Sequence, residues 1–102
     1  METLKFTYKV TKPLHKRAHV GVVGSGDLEI LMEPSKTGRG EVVIRTRFDG
    51  YSKIWREILD RFFAVHDIMA YIEINDFGAT PGMVGMRLLQ AVEVSYDEHG
   101  QR

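Results

Sequence analysis

Residues 55–66 read WREILDRFFAVH, and this stretch decides the fold class of the 102-residue chain. Its apolar side chains recur every three or four residues, which is the period of an amphipathic α-helix. The stripe consists of Trp55, Ile58, Leu59, Phe62 and Phe63, with His66 at its end. The segments on both sides of this predicted helix alternate with a period of two, as β-strands do. A helix between two strands favours a right-handed crossover that leaves the two strands parallel.

Four strands are predicted before the helix. Apolar and polar residues alternate from Leu4 to Val10, a strand that Pro13 ends, and three further strands are predicted at 18–23, 28–33 and 41–48. The second and third strands flank a glycine-rich connection, which is typical of a β-hairpin. We expect the fourth strand to extend the same meander.

A fifth strand and a second helix are predicted after the first helix. Alternation at 69–76 predicts the strand, and Thr80-Pro81 supplies an N-cap followed by proline at the first helical position. Residues 92–96 fit a strand as well as a helix. The expected fold is α+β, a two-layer sandwich in which a mixed, mostly antiparallel sheet of about five strands carries two helices on one face. At this length we expect one domain, residues 1–102.

Composition excludes several classes of function. Lys plus Arg and Asp plus Glu number 14 each, so no net charge attracts nucleic acid or an anionic membrane. Cysteine is absent, which rules out disulfides and a cysteine nucleophile and suits a cytoplasmic location. There is no apolar run long enough to span a membrane and no signal-peptide pattern, so we expect a soluble cytoplasmic protein.

Residues 21–26, GVVGSG, form the most distinctive loop. Glycines that let backbone N–H groups approach an anion would make a nucleotide-binding loop between Gly21 and Gly26. The dinucleotide fingerprint, however, needs G-x-G-x-x-G at the start of a helix, and a strand is predicted here instead. The segment thus lacks the full fingerprint, and nucleotide binding is kept only as an alternative.

Ser25 lies between Gly24 and Gly26 and is followed by Asp27, at the predicted tip of the hairpin. Most such segments are simply turns, because Gly and Asp tolerate the backbone conformations that tight turns require. Chemically, the same tip is a good attachment point for a large group, since the neighbours of the hydroxyl have little or no side chain to block it.

Other motifs give no site. Asp76-Phe77-Gly78 matches the metal-binding triplet of protein kinases, but the chain is too short for a kinase and lacks the other kinase motifs. The four histidines are dispersed, so no metal site is predicted. No set of catalytic residues emerges from the spacing either.

Two segments carry a resemblance to a known family. They are VGSGDLE at 23–29 and DFGATPG at 76–82, and they resemble the acyl-carrier (delta) subunit of malonate decarboxylase. The order of elements and the S-G-D segment are similar, more distantly, to the acyl-carrier (gamma) subunit of citrate lyase, which stays as an alternative. The resemblance covers residues 1–96.

The resemblance implies a carrier without catalytic residues of its own. It implies that Ser25 bears 2'-(5''-phosphoribosyl)-3'-dephospho-CoA through a phosphodiester, with Gly24, Gly26 and Asp27 supporting the attachment loop. The arm's thiol would carry acetyl and malonyl groups. The implied partners are the transferase and decarboxylase subunits of malonate decarboxylase, a malonyltransferase and a dedicated prosthetic-group transferase.

Overall fold

The computed structural model describes residues 1–21 and 26–96, which form two helices and a mixed β-sheet. The elements in chain order are β1 (Glu2–Tyr8), β2 (Lys12–Pro13), β3 (Ala18–Gly21), β4 (Leu28–Pro34), β5 (Gly40–Thr46), α1 (Ser52–Val65), β6 (Ile68–Asp76) and α2 (Pro81–Tyr96). The predicted α+β class is confirmed. None of the helices in the described part of the chain has the length and apolar character needed to cross a membrane.

The sheet has the strand order β1-β5-β6-β4-β3, and β2 pairs with β6 off this path. Neighbours are antiparallel except that β6 runs parallel to β5 and to β2. The parallel pair β5 and β6 is joined by α1, which confirms the predicted parallel arrangement of the two strands.

The predicted meander is wrong in one respect, because β6 lies between β4 and β5. Alternation within a strand shows which face is buried but does not show which strand is its neighbour. β6 is the longest strand, and every second residue from Ile68 to Asp76 is buried. The central position gives this strand hydrogen-bonding partners along both edges.

One face of the sheet forms the core. Paired residues such as Ile30 and Ile74, or Val42 and Ile72, present their side chains to this face, and all four are almost fully buried. Both helices pack there, α1 through Trp55, Leu59 and Phe62 and α2 through Val84, Leu88, Ala91 and Val92. Each fully buried Leu or Ile side chain stabilises the fold by roughly 1.5–3 kcal/mol.

The ends of the predicted elements need small corrections. β1 stops at Tyr8, because the chain then turns so that the backbone N–H of Thr11 donates a 2.6 Å hydrogen bond to Asp67. The following residues form the short strand β2, which was not predicted. β3 ends at Gly21 within the described residues, and residues 22 and 23 of the predicted strand lie outside them.

The second helix begins where the sequence predicts. The side-chain hydroxyl of Thr80 accepts a 3.1 Å hydrogen bond from the backbone N–H of Met83, so Thr80 is the N-cap and Pro81 the first helical residue. The alternative of a strand at 92–96 is excluded. Val92 and Ser95, three residues apart, both face the interior, which is the period of a helix.

Candidate functional site

The candidate site lies at the edge of the sheet where β5 and β6 end. Because these strands are parallel, their carboxyl ends meet at one edge, where Thr46 pairs with Asp76. The antiparallel strand β4 starts at the same edge, since Leu28 pairs with Asp76 from the other side. The chain that follows the connection from β3 therefore enters β4 beside the end of β6.

The predicted hairpin is confirmed by the antiparallel pairing of β3 with β4, whose last pair is Gly21 with Glu29. Two of the four predicted site residues, Gly24 and Ser25, lie outside the described residues. The other two, Gly26 and Asp27, are described, and Gly26 is the covalent neighbour of Ser25. They show how the end of the connection is held.

Gly26 and Asp27 continue the hydrogen-bonding ladder between β4 and β6. The N–H of Gly26 donates a 2.8 Å hydrogen bond to the carbonyl of Phe77, and the N–H of Phe77 donates a 2.9 Å hydrogen bond to the carbonyl of Asp27. Gly26 has a φ of 79°, which an L-residue adopts only with strain. The backbone at the residue after Ser25 is thus fixed to the end of β6.

Asp27 adds a link to the second helix. Its carboxylate accepts hydrogen bonds from Arg87 of α2 at 2.8 and 3.3 Å, and another from the N–H of Leu28 at 2.7 Å. The Asp27 and Arg87 side chains are only 16% and 22% exposed. The hydrogen bonds from Arg87 and Leu28 hold the pKa of Asp27 below its ordinary value, so Asp27 is a firmly ionised anchor.

The turn that receives Gly26 is itself organised by Asp76. This buried carboxylate accepts hydrogen bonds from the hydroxyl of Thr46 at 2.9 Å and from the N–H groups of Gly78 and Ala79 at 3.2 and 3.0 Å. Gly78 has a φ of 106°. The DFG triplet therefore serves as a strand-to-helix turn, with no metal role required.

One cation near this turn has no anionic partner in the described residues. The guanidinium of Arg47 lies 5.4 Å from the ring centre of Phe77, and no carboxylate in residues 1–21 and 26–96 pairs with it. A cation over an aromatic face is held in place but keeps its donors for another group. Phe77 is half-buried, and its ring supports the Arg47 guanidinium.

A cavity of about 320 Å³ opens beside the turn. Its lining comes from the end of β5, the loop that follows, α1, the DFG turn and the start of α2. Trp55 lies almost fully buried in its wall, whereas Phe48 and Tyr51 are about half exposed. Its volume lies within the range of small-molecule sites.

The described residues offer little to the alternative chemistries. Over residues 1–21 and 26–96, no three His, Asp or Glu side chains are grouped so that they could hold a metal ion. The glycine-rich connection leads into β4, whereas a phosphate-binding loop leads into a helix.

Comparison with known proteins identifies the family. The sequence profile of the family described as malonate decarboxylase delta subunit matches residues 15–95. The malonate decarboxylase acyl carrier proteins of Azotobacter vinelandii and Stutzerimonas stutzeri are 47% and 44% identical, each over 91% of this chain and 95% of its own length. The chain belongs to this family.

A solved structure agrees with the assignment to the malonate decarboxylase acyl-carrier family. It is a chain in the crystal structure of a Pseudomonas malonate decarboxylase hetero-tetramer in complex with malonate. The TM-score is 0.88 at 42% identity, over 93% of this chain and 99% of that one. The resemblance inferred from the two sequence segments is confirmed.

Sequence reasoning missed three residues of the site in this family member, namely Arg47, Phe77 and Arg87. A signal for Arg87 was present, because it falls within the apolar stripe of α2, three residues after Val84 and one before Leu88. A cation on the buried side of a helix indicates an anionic partner. That partner is Asp27, which lies 60 residues away in the sequence, so it can be identified only from the fold.

Proposed function

We propose that this chain is the acyl-carrier subunit of a malonate decarboxylase and that Ser25 is the attachment point of its prosthetic arm. The observation that carries the proposal is the bracing of the residues directly after Ser25. Gly26 is fixed to β6 through Phe77, and Asp27 to α2 through Arg87. A carrier needs this combination of a bulky modification on one residue and a rigid base at the next.

The described residues fit a group attached through a phosphodiester. Gly26 is exposed, and no atom of the other described residues that are not its chain neighbours lies within 4 Å of the position that a Cβ there would occupy. The negative charge of Asp27 is already balanced by Arg87. Arg47 supplies a cation that can donate hydrogen bonds to a phosphate oxygen.

The group expected at Ser25 is 2'-(5''-phosphoribosyl)-3'-dephospho-CoA, whose thiol would supply the sulfur chemistry that a chain without cysteine lacks. This chain's own residues hold and present the arm, and we assign them no acid, base or metal in the reaction. A tethered group reaches several sites at high effective concentration without being released. The partners on this proposal are the transferase and decarboxylase subunits, the malonyltransferase and the prosthetic-group transferase.

Intact-mass analysis tests the attachment. The chain produced together with the prosthetic-group transferase should gain the mass of the arm, and Ser25→Ala should remove that gain completely. Ser52→Ala, a change at an exposed serine at the start of α1, should leave the gain intact. A chain that stays unmodified, or a modified Ser25→Ala variant, would show that Ser25 is not the attachment point.

A binding experiment separates this function from the nucleotide-binding alternative. A small nucleotide-binding protein would bind nucleotide saturably without modification, whereas a carrier should give no heat when nucleotide is titrated into the unmodified chain. A protein that only mediates subunit contacts would behave differently again, since Ser25→Ala would leave malonate turnover intact. The carrier proposal predicts that turnover is lost.

A further inference from the structure

The cavity beside the DFG turn adjoins the proposed attachment site. A Cβ built on Gly78, in the cavity lining, would lie 3.7 Å from the Cα of Gly26 and 3.6 Å from the ring of Phe48, which also lines the cavity. Gly26 and Phe48 therefore both lie beside Gly78. Ser25 is bonded to Gly26, so a long flexible group on Ser25 is tethered one residue away from a residue that lies beside the cavity lining.

The lining of the cavity is apolar with one polar end. Trp55, Ile58 and Val84 form an apolar wall, and Thr46 and Asp76 form the polar end. The rim consists of Phe48, Tyr51 and Ile54, which are 48%, 50% and 39% exposed. Such exposure of neighbouring large apolar side chains is typical of a surface that receives an apolar ligand.

The charges of this cavity select among ligands. Its described lining contains the carboxylate of Asp76 and no Lys, Arg or His side chain. The N–H groups of Gly78 and Ala79, which could otherwise receive an anion, already donate to Asp76. An anion placed here would be removed from water beside the Asp76 carboxylate, with no cation in the described lining to balance it, which is strongly unfavourable.

We propose that this cavity holds the acyl end of the Ser25-linked arm when that end is the neutral acetyl thioester, and excludes it when it is the anionic malonyl thioester. The inference rests on the proposed function and adds a selectivity to it. The carrier shelters the acetylated arm from water and leaves the malonylated arm exposed to its partners. The switch between the two forms is the charge of the cargo.

Trp55 provides a direct readout, because it is the only tryptophan of the chain and its side chain lies in the cavity wall. The carrier is prepared with the arm unloaded, acetylated and malonylated, and loading is verified by intact mass. We expect the Trp55 emission spectrum to shift in the acetylated form and not in the malonylated form. Identical spectra for the acetylated and malonylated forms would overturn the inference.

Thioester reactivity provides a second readout. Hydroxylamine cleavage of each loaded carrier is compared with cleavage of the same thioester on the free arm, which removes the difference in intrinsic reactivity. If about two-thirds of the acetylated arms are docked, cleavage should be slowed roughly threefold, whereas the malonyl thioester should show no protection. Equal protection of both thioesters, or protection of neither, would contradict the proposal.

Matched variants assign the effect to the cavity. Tyr51→Ala removes part of the rim and should abolish the protection, while Tyr96→Ala, a tyrosine of similar exposure (53%) outside the lining, should leave it unchanged. Ile54→Lys places a cation at the rim and should extend protection to the malonyl thioester. If Tyr51→Ala and Tyr96→Ala behave alike, the cavity does not hold the arm.

The outcomes also separate this inference from the proposed function. Absence of the arm in the mass spectrum refutes both. A correctly modified carrier whose Trp55 emission and thioester cleavage do not respond to the cargo refutes the cavity alone.

Discussion

Residues 22–25 lie between two glycines, Gly21 and Gly26, whose surroundings differ. Both have a positive φ, 87° at Gly21 and 79° at Gly26. A Cβ at Gly21 would lie 2.1 Å from the carbonyl oxygen of Leu28, whereas a Cβ at Gly26 would meet none of the described residues beyond its chain neighbours within 4 Å. At the start of the connection, the backbone of Leu28 leaves no space for a side chain on Gly21. At its end, Gly26 is exposed and its N–H is hydrogen-bonded to Phe77.

The difference separates a glycine required by the fold from a glycine compatible with attachment. Gly21 allows β3 and β4 to approach each other, so its role is backbone packing. Gly26 is exposed, and its N–H donates a hydrogen bond to the carbonyl of Phe77. Substitutions at the two ends should therefore affect stability and modification to different extents.

The largest effect is expected for Gly21→Ala. The added methyl group overlaps the backbone of Leu28 and also occupies a strained φ, so unfolding free energy should fall by about 2–5 kcal/mol. Urea denaturation measures the loss. Gly38→Ala is the control, because Gly38 has a φ of 77° but open space around its Cβ position. Equal losses for the two variants would show that the steric contact contributes nothing.

The next largest effect is expected for Asp76→Asn at the turn that supports Gly26. The amide cannot accept from Thr46 and from both backbone N–H groups as the carboxylate does, so a buried polar group is left unsatisfied at a cost of roughly 1–3 kcal/mol. Amide hydrogen exchange at Gly26 should accelerate as well. Asp49→Asn, at an exposed carboxylate, should change neither measurement.

These residues show how far the sequence alone could lead. The alternation of strand residues and the stripe around Trp55 depend on neighbours along the chain, so strands, helices and the parallel crossover could be predicted. The place of β6 between β4 and β5 could not, because alternation assigns a face and no neighbour. The resemblance selected Asp27 as a support for the loop, which stays a prediction, and the contacts of Asp27 with Arg87 and with the backbone of Phe77 became visible only with the fold.

A smaller effect is expected for Gly26→Ala. The left-handed backbone costs a non-glycine residue roughly 1–2 kcal/mol, and Asn should cost less because it tolerates this conformation better. Gly26→Val should be worse than Ala, since a β-branched residue is a poor fit to positive φ, so it should impair both stability and attachment. Denaturation and intact mass measure the two properties. Normal modification of the surviving folded protein would mean that Gly26 matters for backbone geometry only.

The smallest effect, and the one most dependent on pH, is expected for Arg87→Met. In the folded protein, hydrogen bonds from Arg87 and Leu28 lower the pKa of Asp27 below its ordinary value of 3.8. The folded state therefore binds the Asp27 proton more weakly than the unfolded state does. The stabilisation that this gives is complete above pH 3.8 and is lost as the pH falls through the lower folded pKa.

The stability difference between wild type and Arg87→Met should therefore be constant near neutral pH and narrow below pH 3.8, as measured by urea denaturation at a series of pH values. Arg39→Met, which changes an exposed arginine, should give a small difference without this pH dependence. A difference for Arg87→Met that stays constant into acid would indicate that Arg87 acts through its packing on α2. In that case the hydrogen bonds to Phe77 would be the main support of the residue beside Ser25, and the end of the connection would depend on β6 alone.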